Sequence, residues 1–200
     1  MQSLPDTVVV ASGNVGKLRE IETILGELNI KFIPQSQLGV SEAEETGATF
    51  AENALLKAAH AMAATGLAAI ADDSGLIVDA LGGRPGVLSA RYAGPSASDA
   101  ENIDKLLREL EGVEAARRGA AFHCAVCLLT PDGNAPVTAS GEWRGRILTE
   151  RQGDGGFGYD PVFLDVASGR SAAQMSSAEK NERSHRGKAL RKLAAKLPHF

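Results

Sequence analysis

The sequence is short of the features that mark several protein classes. It has two cysteines in 200 residues, too few for a disulfide framework. The stretch "FHCAVC", residues 122–127, falls short of the four ligands of a structural zinc site. Cys124 and Cys127 are an odd number of positions apart, so on a strand they face opposite sides and read as buried free thiols. No apolar run approaches the roughly 20 residues of a membrane span. The first residues lack the basic segment, apolar stretch and small-residue site of a signal peptide, so the expected location is the cytoplasm. Positive charge is also lacking: the net charge is −4 and the pI about 5.6, against a nucleic acid polymer as partner. Lys and Arg do gather between Lys180 and Lys196, where the plain reading is a solvated helix face. With no repeat, low-complexity tract or linker, and 44% hydrophobic residues, residues 1–200 are expected to form a single domain.

What is present alternates strands with helices. An unbroken Val run predicts a strand at residues 7–12, and a helix follows over 17–28 with Leu18, Ile21, Ile24, Leu25 and Leu28 on one stripe. "KFIP" is a short strand, and the acidic segment from Val40 is a loop. Thr49 with Glu52 has capping-box spacing for a helix running to about Thr65. "AAIADDSG" reads as a strand entering an acidic turn, and "LIVDAL" as a second strand. The next loop has Val87, Leu88 and Tyr92 to pack. Ser98 with Glu101 caps a helix that ends near Gly112. Two strands joined by the hairpin signal "PDGN" follow, then a glycine loop entering a short strand. Ser176 with Glu179 caps a C-terminal helix carrying Leu190, Leu193 and Leu197. The expected class is α/β with a mixed sheet.

Several stretches carry candidate chemistry. "SGNVGK", residues 12–17, lies between a strand and a helix, where glycines let the backbone approach an anion and helix N–H groups point at it. It is not the common phosphate loop, which needs four residues between its glycines and Ser or Thr after the lysine; only Asn14 and Val15 separate Gly13 from Gly16, and Leu18 follows Lys17. "ADDSG", residues 71–75, is either a solvated acidic turn or an acidic pair placed for a metal or general base, with Asp72 and Asp73 facing opposite ways. In "SEAEETG", Glu45 is a possible partner of Asp73 for Mg²⁺, which needs only one or two carboxylates. "GGFGYD", residues 155–160, puts two aromatics among glycines, where they can stack a purine or simply pack in the core. "SHRGKAL", residues 184–190, offers donors from His185 and Arg186, or plain surface-helix chemistry.

In their order, "SGNVGK", "AEETGATFAENALLKA", "AIADDSGLIVDALGGRPGVLSARYAG", "GGFGYDPVF" and "SHRGKAL" resemble the noncanonical purine nucleoside triphosphate pyrophosphatases, the dITP/XTP pyrophosphatase or inosine triphosphatase family. The resemblance runs from about Val8 to Leu197. Ser12 stands where the family's turn often opens with Thr, and the hydroxyl is kept. The resemblance implies an elongated mixed β-sheet flanked by helices, two lobes with a central substrate cleft, and a homodimer. It implies cleavage of ITP, dITP or XTP between the α- and β-phosphates, with Mg²⁺. Carried over, Ser12, Gly13, Asn14, Val15, Gly16 and Lys17 bind the triphosphate, with Lys57 as a second phosphate contact and Ser74 as a substrate contact. Asp73 is the catalytic acid and, with Glu45, holds the metal. Phe157, Gly158, Tyr159, Asp160, Lys180, His185 and Arg186 recognise the base.

Whether Asp72, Asp73 or Glu45 activates the water is open at this level, as are ribo versus deoxy preference and the group that refuses the guanine amine. Two rivals are a Maf-like pyrophosphatase of other nucleotides and a non-catalytic nucleotide-binding module. Against the first stand "GGFGYD" and "SHRGKAL"; against the second stand "ADDSG" and the two lysines.

Overall fold

A computed structural model of the chain describes residues 5–197. It has seven strands: β1 (Thr7–Val10), β2 (Lys31–Pro34), β3 (Ala68–Val78), β4 (Gly119–Leu129), β5 (Val137–Ile147), β6 (Phe163–Asp165) and β7 (Arg170–Ser171). Five helices accompany them: α1 (Val15–Leu25), α2 (Phe50–Thr65), α3 (Asp99–Glu109), α4 (Ser177–Arg183) and α5 (His185–Ala194). The strand order is β2-β1-β3-β4-β5-β6-β7. β1 runs parallel to β2 and β3, whereas β5, β6 and β7 pair antiparallel, so the sheet is mixed as expected.

The chain forms two compact units: one contains the chain up to Asp73, Cys124–Gly141 and the segment from His185, the other Ser74–His123 and Glu142–Ser184. In the first, strand alternation sorts side chains onto two faces. Val8, Val10, Ile70, Cys124 and Val126 pack with Ile21 and Leu25 of α1 and with Leu190 and Leu193 of α5. Val9, Ala69, Ala71 and Cys127 pack instead with Ala54, Ala58 and Ala61 of α2. The two cysteines do lie on opposite faces, both buried. In the second unit, the scarce aromatics concentrate in the core. Phe122 and Trp143 lie with ring centroids 4.5 and 5.0 Å from Phe163, and the indole N–H of Trp143 donates to Asp165 Oδ1 at 3.0 Å. Arg118, 5% exposed, donates to the carbonyls of Leu110, Val113 and Leu148.

All three predicted capping boxes form, at Thr49–Glu52, Ser98–Glu101 and Ser176–Glu179. Elsewhere the structure corrects the sequence reading. α1 starts two residues early because Asn14 caps it, its Oδ1 accepting from Lys17 N at 3.0 Å. "AAIADDSG" runs without an acidic turn into the start of "LIVDAL" as one strand, β3, which ends at Val78, and Asp79–Leu81 form a 3-10 turn. Charged residues interrupt a strand only when water must solvate them; here both aspartates are buried and have cations beside them. The C-terminal helix is two helices, because Ser184 is extended (φ −66°, ψ 157°). The basic run is not one solvated face either: Lys180, His185 and Arg186 are buried, while Arg191, Lys192 and Lys196 are exposed. In the loop after β3, Tyr92 packs as expected but Leu88 is 49% exposed.

Candidate active site

The phosphate-shaped turn is ordered by its own hydrogen bonds. Ser12 Oγ accepts from Asn14 N at 3.2 Å, and Asn14 Oδ1 caps α1. The first turn of α1 holds Val15, Gly16 and Lys17 and no acidic residue, so no carboxylate of its own offsets the positive dipole end, as suits an anion site, although the Lys17 N–H is taken by Asn14. The Glu42 carboxyl lies against Gly13, so a side chain there would have to displace it.

From this turn Lys17 Nζ reaches Asp72 Oδ2 at 3.2 Å. The same oxygen accepts from Arg186 Nε at 3.1 Å and lies 3.8 Å from Cys124 Sγ. Arg186 also pairs with Glu20, one turn beyond Lys17 on α1. Asp72 is fully buried. Burial alone raises its proton affinity, but Lys17, Arg186 and Lys57 hold it well below the usual carboxylate range.

Asp73 takes the opposite face, as strand alternation demands. Its partners come from α2: Asn53 Nδ2 donates to Oδ2 at 3.1 Å, and Lys57 Nζ lies 3.5 Å from Oδ1. Lys57 donates to Glu45 Oε1 at 2.8 Å as well. Burial pushes the Asp73 carboxyl above its ordinary value; Lys57 partly offsets this, and Glu45 adds to it. The structure therefore joins Glu45, Lys57 and Asp73, and separately Lys17, Asp72 and Arg186.

The remaining predicted residues fall in two places. Ser74 follows Asp73 in β3. Lys180 Nζ lies 2.5 Å from Asp160 Oδ2 and 4.3 Å from the centroid of the Phe157 ring. Asp160 Oδ2 accepts from Phe157 N at 2.9 Å, and Gly158 N donates to Asp99. Tyr159 is 4% exposed, its hydroxyl donating to the carbonyl of Ser89, so the partly exposed ring of this loop is Phe157. These residues belong to the second compact unit, whereas His185 and Arg186 belong to the first. The sequence reading missed Asn53 and Glu20. The signals were helical: Asn53 lies four residues before Lys57, and Glu20 three after Lys17, so each shares a face with a singled-out lysine.

Few donors are available to hold Mg²⁺. Glu45 and Asp73 already converge on one cation, the Lys57 ammonium. Among the described residues no group of three or more His, Cys, Asp or Glu could hold a metal. Two carboxylates fit a cation that completes its shell with water and phosphate oxygens, which is the habit of Mg²⁺.

Residues 8–196 match the Ham1 family. The chain is 56% identical to a dITP/XTP pyrophosphatase of Methylococcus capsulatus, over 95% of each chain. It is 54% identical to a dITP/XTP pyrophosphatase of Xanthomonas oryzae pv. oryzae, over 95% of this chain and 96% of the other. The solved structure of a HAM1 protein from Coxiella burnetii superposes with a TM-score of 0.87 at 48% identity, over 94% of this chain and 96% of that one.

Proposed function

The chain belongs to the Ham1 family, and from that premise we propose that it hydrolyses the noncanonical purine nucleoside triphosphates ITP, dITP and XTP to the monophosphate and pyrophosphate. The observation that carries the reading is the buried pair of aspartates on β3, one facing Lys17 of the anion-shaped turn and the other facing Lys57 and Glu45. The test is release of pyrophosphate from ITP with Mg²⁺, against a panel of XTP, dUTP, GTP and ATP. Turnover of ITP and XTP far above the other three supports it; preference for dUTP or the common purines overturns it.

The roles follow from charge. The triphosphate carries about four negative charges, and Lys17, Lys57 and the first-turn N–H groups of α1 are placed to neutralise them. Glu45 and Asp73 would hold Mg²⁺, which when bound supplies further charge neutralisation and polarises the phosphate. Of the adjacent aspartates, Asp72 is committed to Lys17 and Arg186 and is a poor proton acceptor. Asp73 has a raised proton affinity without metal, which a bound cation would lower, so it is proposed to hold the metal and to orient the attacking water. Selection of the base is a hydrogen-bond problem: hypoxanthine and xanthine present a carbonyl where adenine presents an amine, and donors facing an amine are left unpaired. Lys180, His185 and Arg186 are the proposed donors, with Phe157–Asp160 proposed as the other base-recognition residues. A cytoplasmic homodimer is part of the same proposal; among the described residues no helix is long and apolar enough to cross a membrane.

Two expectations test these assignments. Lys17→Ala raises KM for ITP and XTP alike and weakens the dependence of the rate on salt, because a phosphate contact is blind to the base. An unchanged KM, or an effect confined to one base, removes Lys17 from phosphate binding. For Arg186, truncation would strand two carboxylates, so the informative change is Arg186→Lys, which keeps a cation near Asp72 and Glu20 but loses the planar fork. The ITP to ATP ratio of kcat/KM is expected to fall by about tenfold or more, the scale of a lost hydrogen bond to a charged donor. If that ratio holds while both rates drop together, Arg186 acts on the fold or the phosphates and not on the base.

A further inference from the structure

We infer that Asn53 is a positioning residue of the hydrolytic site: its side-chain amide locks the Asp73 carboxylate and the Glu45-bearing loop to one helix, fixing the arrangement of the two acids. The inference rests on the reading of Asp73 and Glu45 given above.

Asn53 is fully buried near the start of α2, in a helix otherwise rich in Ala and Leu. A buried amide is costly unless its groups are paired, and both ends of this one are used. Oδ1 accepts from Gly47 N at 2.8 Å, and Nδ2 donates to Asp73 Oδ2 at 3.1 Å. The Gly47 N–H can only donate, so it identifies the oxygen of the amide and thereby points the NH₂ group at Asp73. One helical turn further, Lys57 takes the other Asp73 oxygen, at 3.5 Å. Two residues at i and i+4 of α2 thus grip the two oxygens of one carboxylate, which leaves its rotation little freedom.

The loop is gripped at the same place. Gly47 donates to Asn53, and the next two backbone N–H groups, of Ala48 and Thr49, donate to Glu52 Oε2 at 2.7 and 3.1 Å. Glu45 lies two residues before this clamp. Gly47 itself admits no side chain: a Cβ there would lie 2.7 Å from Asn53 Oδ1 and 2.7 Å from Glu52 Cβ. Glycine at 47 and asparagine at 53 are therefore one device, and damage from either side loosens the same pair of acids.

The test compares Asn53→Ala with Gly47→Ala, whose added Cβ presses on Asn53 Oδ1 and Glu52 from the loop side while the amide that donates to Asp73 is still present. Partners behind a metal ligand typically cost about 10- to 100-fold in affinity or activity. Both variants are expected to lower kcat for ITP by an amount in that range, with KM changed by less than about threefold, because the phosphate turn is untouched. Both are also expected to weaken Mn²⁺ binding, measured by EPR on the enzyme without nucleotide, by about tenfold or more. Thermal unfolding separates the bland alternative. If Tm falls while kcat well below Tm and Mn²⁺ affinity stay within about twofold of the parent, Asn53 only stabilises the fold, and the inference is overturned. If the parent protein itself fails to release pyrophosphate from ITP, the proposed reaction is lost; the Mn²⁺ arm still decides whether Asn53 orders the two acids.

Discussion

Asp73→Asn is expected to abolish turnover and leave the fold intact. Loss of a positioned general base lowers kcat by about 10²–10⁴-fold, and this residue is also assigned to the metal. The stability sign follows from its environment. Burial, with Glu45 adding, raises the Asp73 proton affinity above its ordinary 3.8, even though Lys57 pulls the other way. A carboxyl that binds its proton more tightly when folded stabilises the fold below that ordinary value, and the contribution is lost as pH rises through the folded pKa. At neutral pH the ionised Asp73 is thus a cost to the fold, which Asn removes. Asn keeps the side chain's shape and an acceptor for Asn53 but turns its NH₂ group toward Lys57, which offsets part of that gain. The measurements are steady-state kinetics at saturating Mg²⁺ and thermal unfolding at neutral pH. A variant that keeps more than about a tenth of the parent kcat is incompatible with Asp73 as catalytic acid.

Asp72→Asn, one residue away, is expected to do its main damage to the fold. Asp72 has no exposure and its Oδ2 receives Lys17 and Arg186. Arg186 is itself 1% exposed. Removing one partner of a buried ion pair leaves an uncompensated charge and costs about 3–5 kcal/mol, or roughly 6–20 °C in Tm for a chain of this size. Glu20 keeps a partial hold on Arg186, which favours the lower end. Here the pH dependence has the opposite sign. Burial opposes ionisation, but Lys17, Arg186 and Lys57 depress the folded pKa below 3.8. The stabilisation is then present above 3.8 and is lost as pH falls through the folded pKa. Urea unfolding of parent and variant at neutral pH and near pH 3 reads this directly: the gap is wide at neutral pH and narrows in acid. A loss below about 1 kcal/mol at neutral pH, the scale of an exposed pair, would show that the Asp72 cluster does not hold this unit together.

The same two residues show how far the sequence could be read. Strand alternation said that Asp72 and Asp73 face opposite ways, and that is how they lie, with Lys17 on one side and Asn53 on the other. It placed them in a turn, however, because an acidic pair before Ser and Gly is ordinarily solvated. Within β3 that segment is buried beside cations supplied by three helices. Capping boxes were legible for a related reason: each is a contact between residues three apart, wholly specified by local sequence. The break at Ser184 was not read, since its one local signal, a Ser able to cap a helix, lies inside a run of helix-compatible residues; Ser184 is 1% exposed and its extended backbone separates α4 from α5.

By itself the sequence determined the α/β class, the mixed sheet, the three helix starts marked by capping boxes and the set of charged residues available for phosphate chemistry. These depend on periodicity, capping and residue type, which are properties of short windows. The tertiary structure alone decided which carboxylate answers to which cation. Asp72 meets Lys17 from 55 residues away and Arg186 from 114, while Asp73 meets Asn53 from 20. A carboxylate's proton affinity is set by burial and by charges a few ångströms distant, so neighbours in sequence acquire opposite shifts and opposite expected roles. No local pattern records distances of that kind; they exist only once α1, α2 and α5 have packed against the two faces of β3.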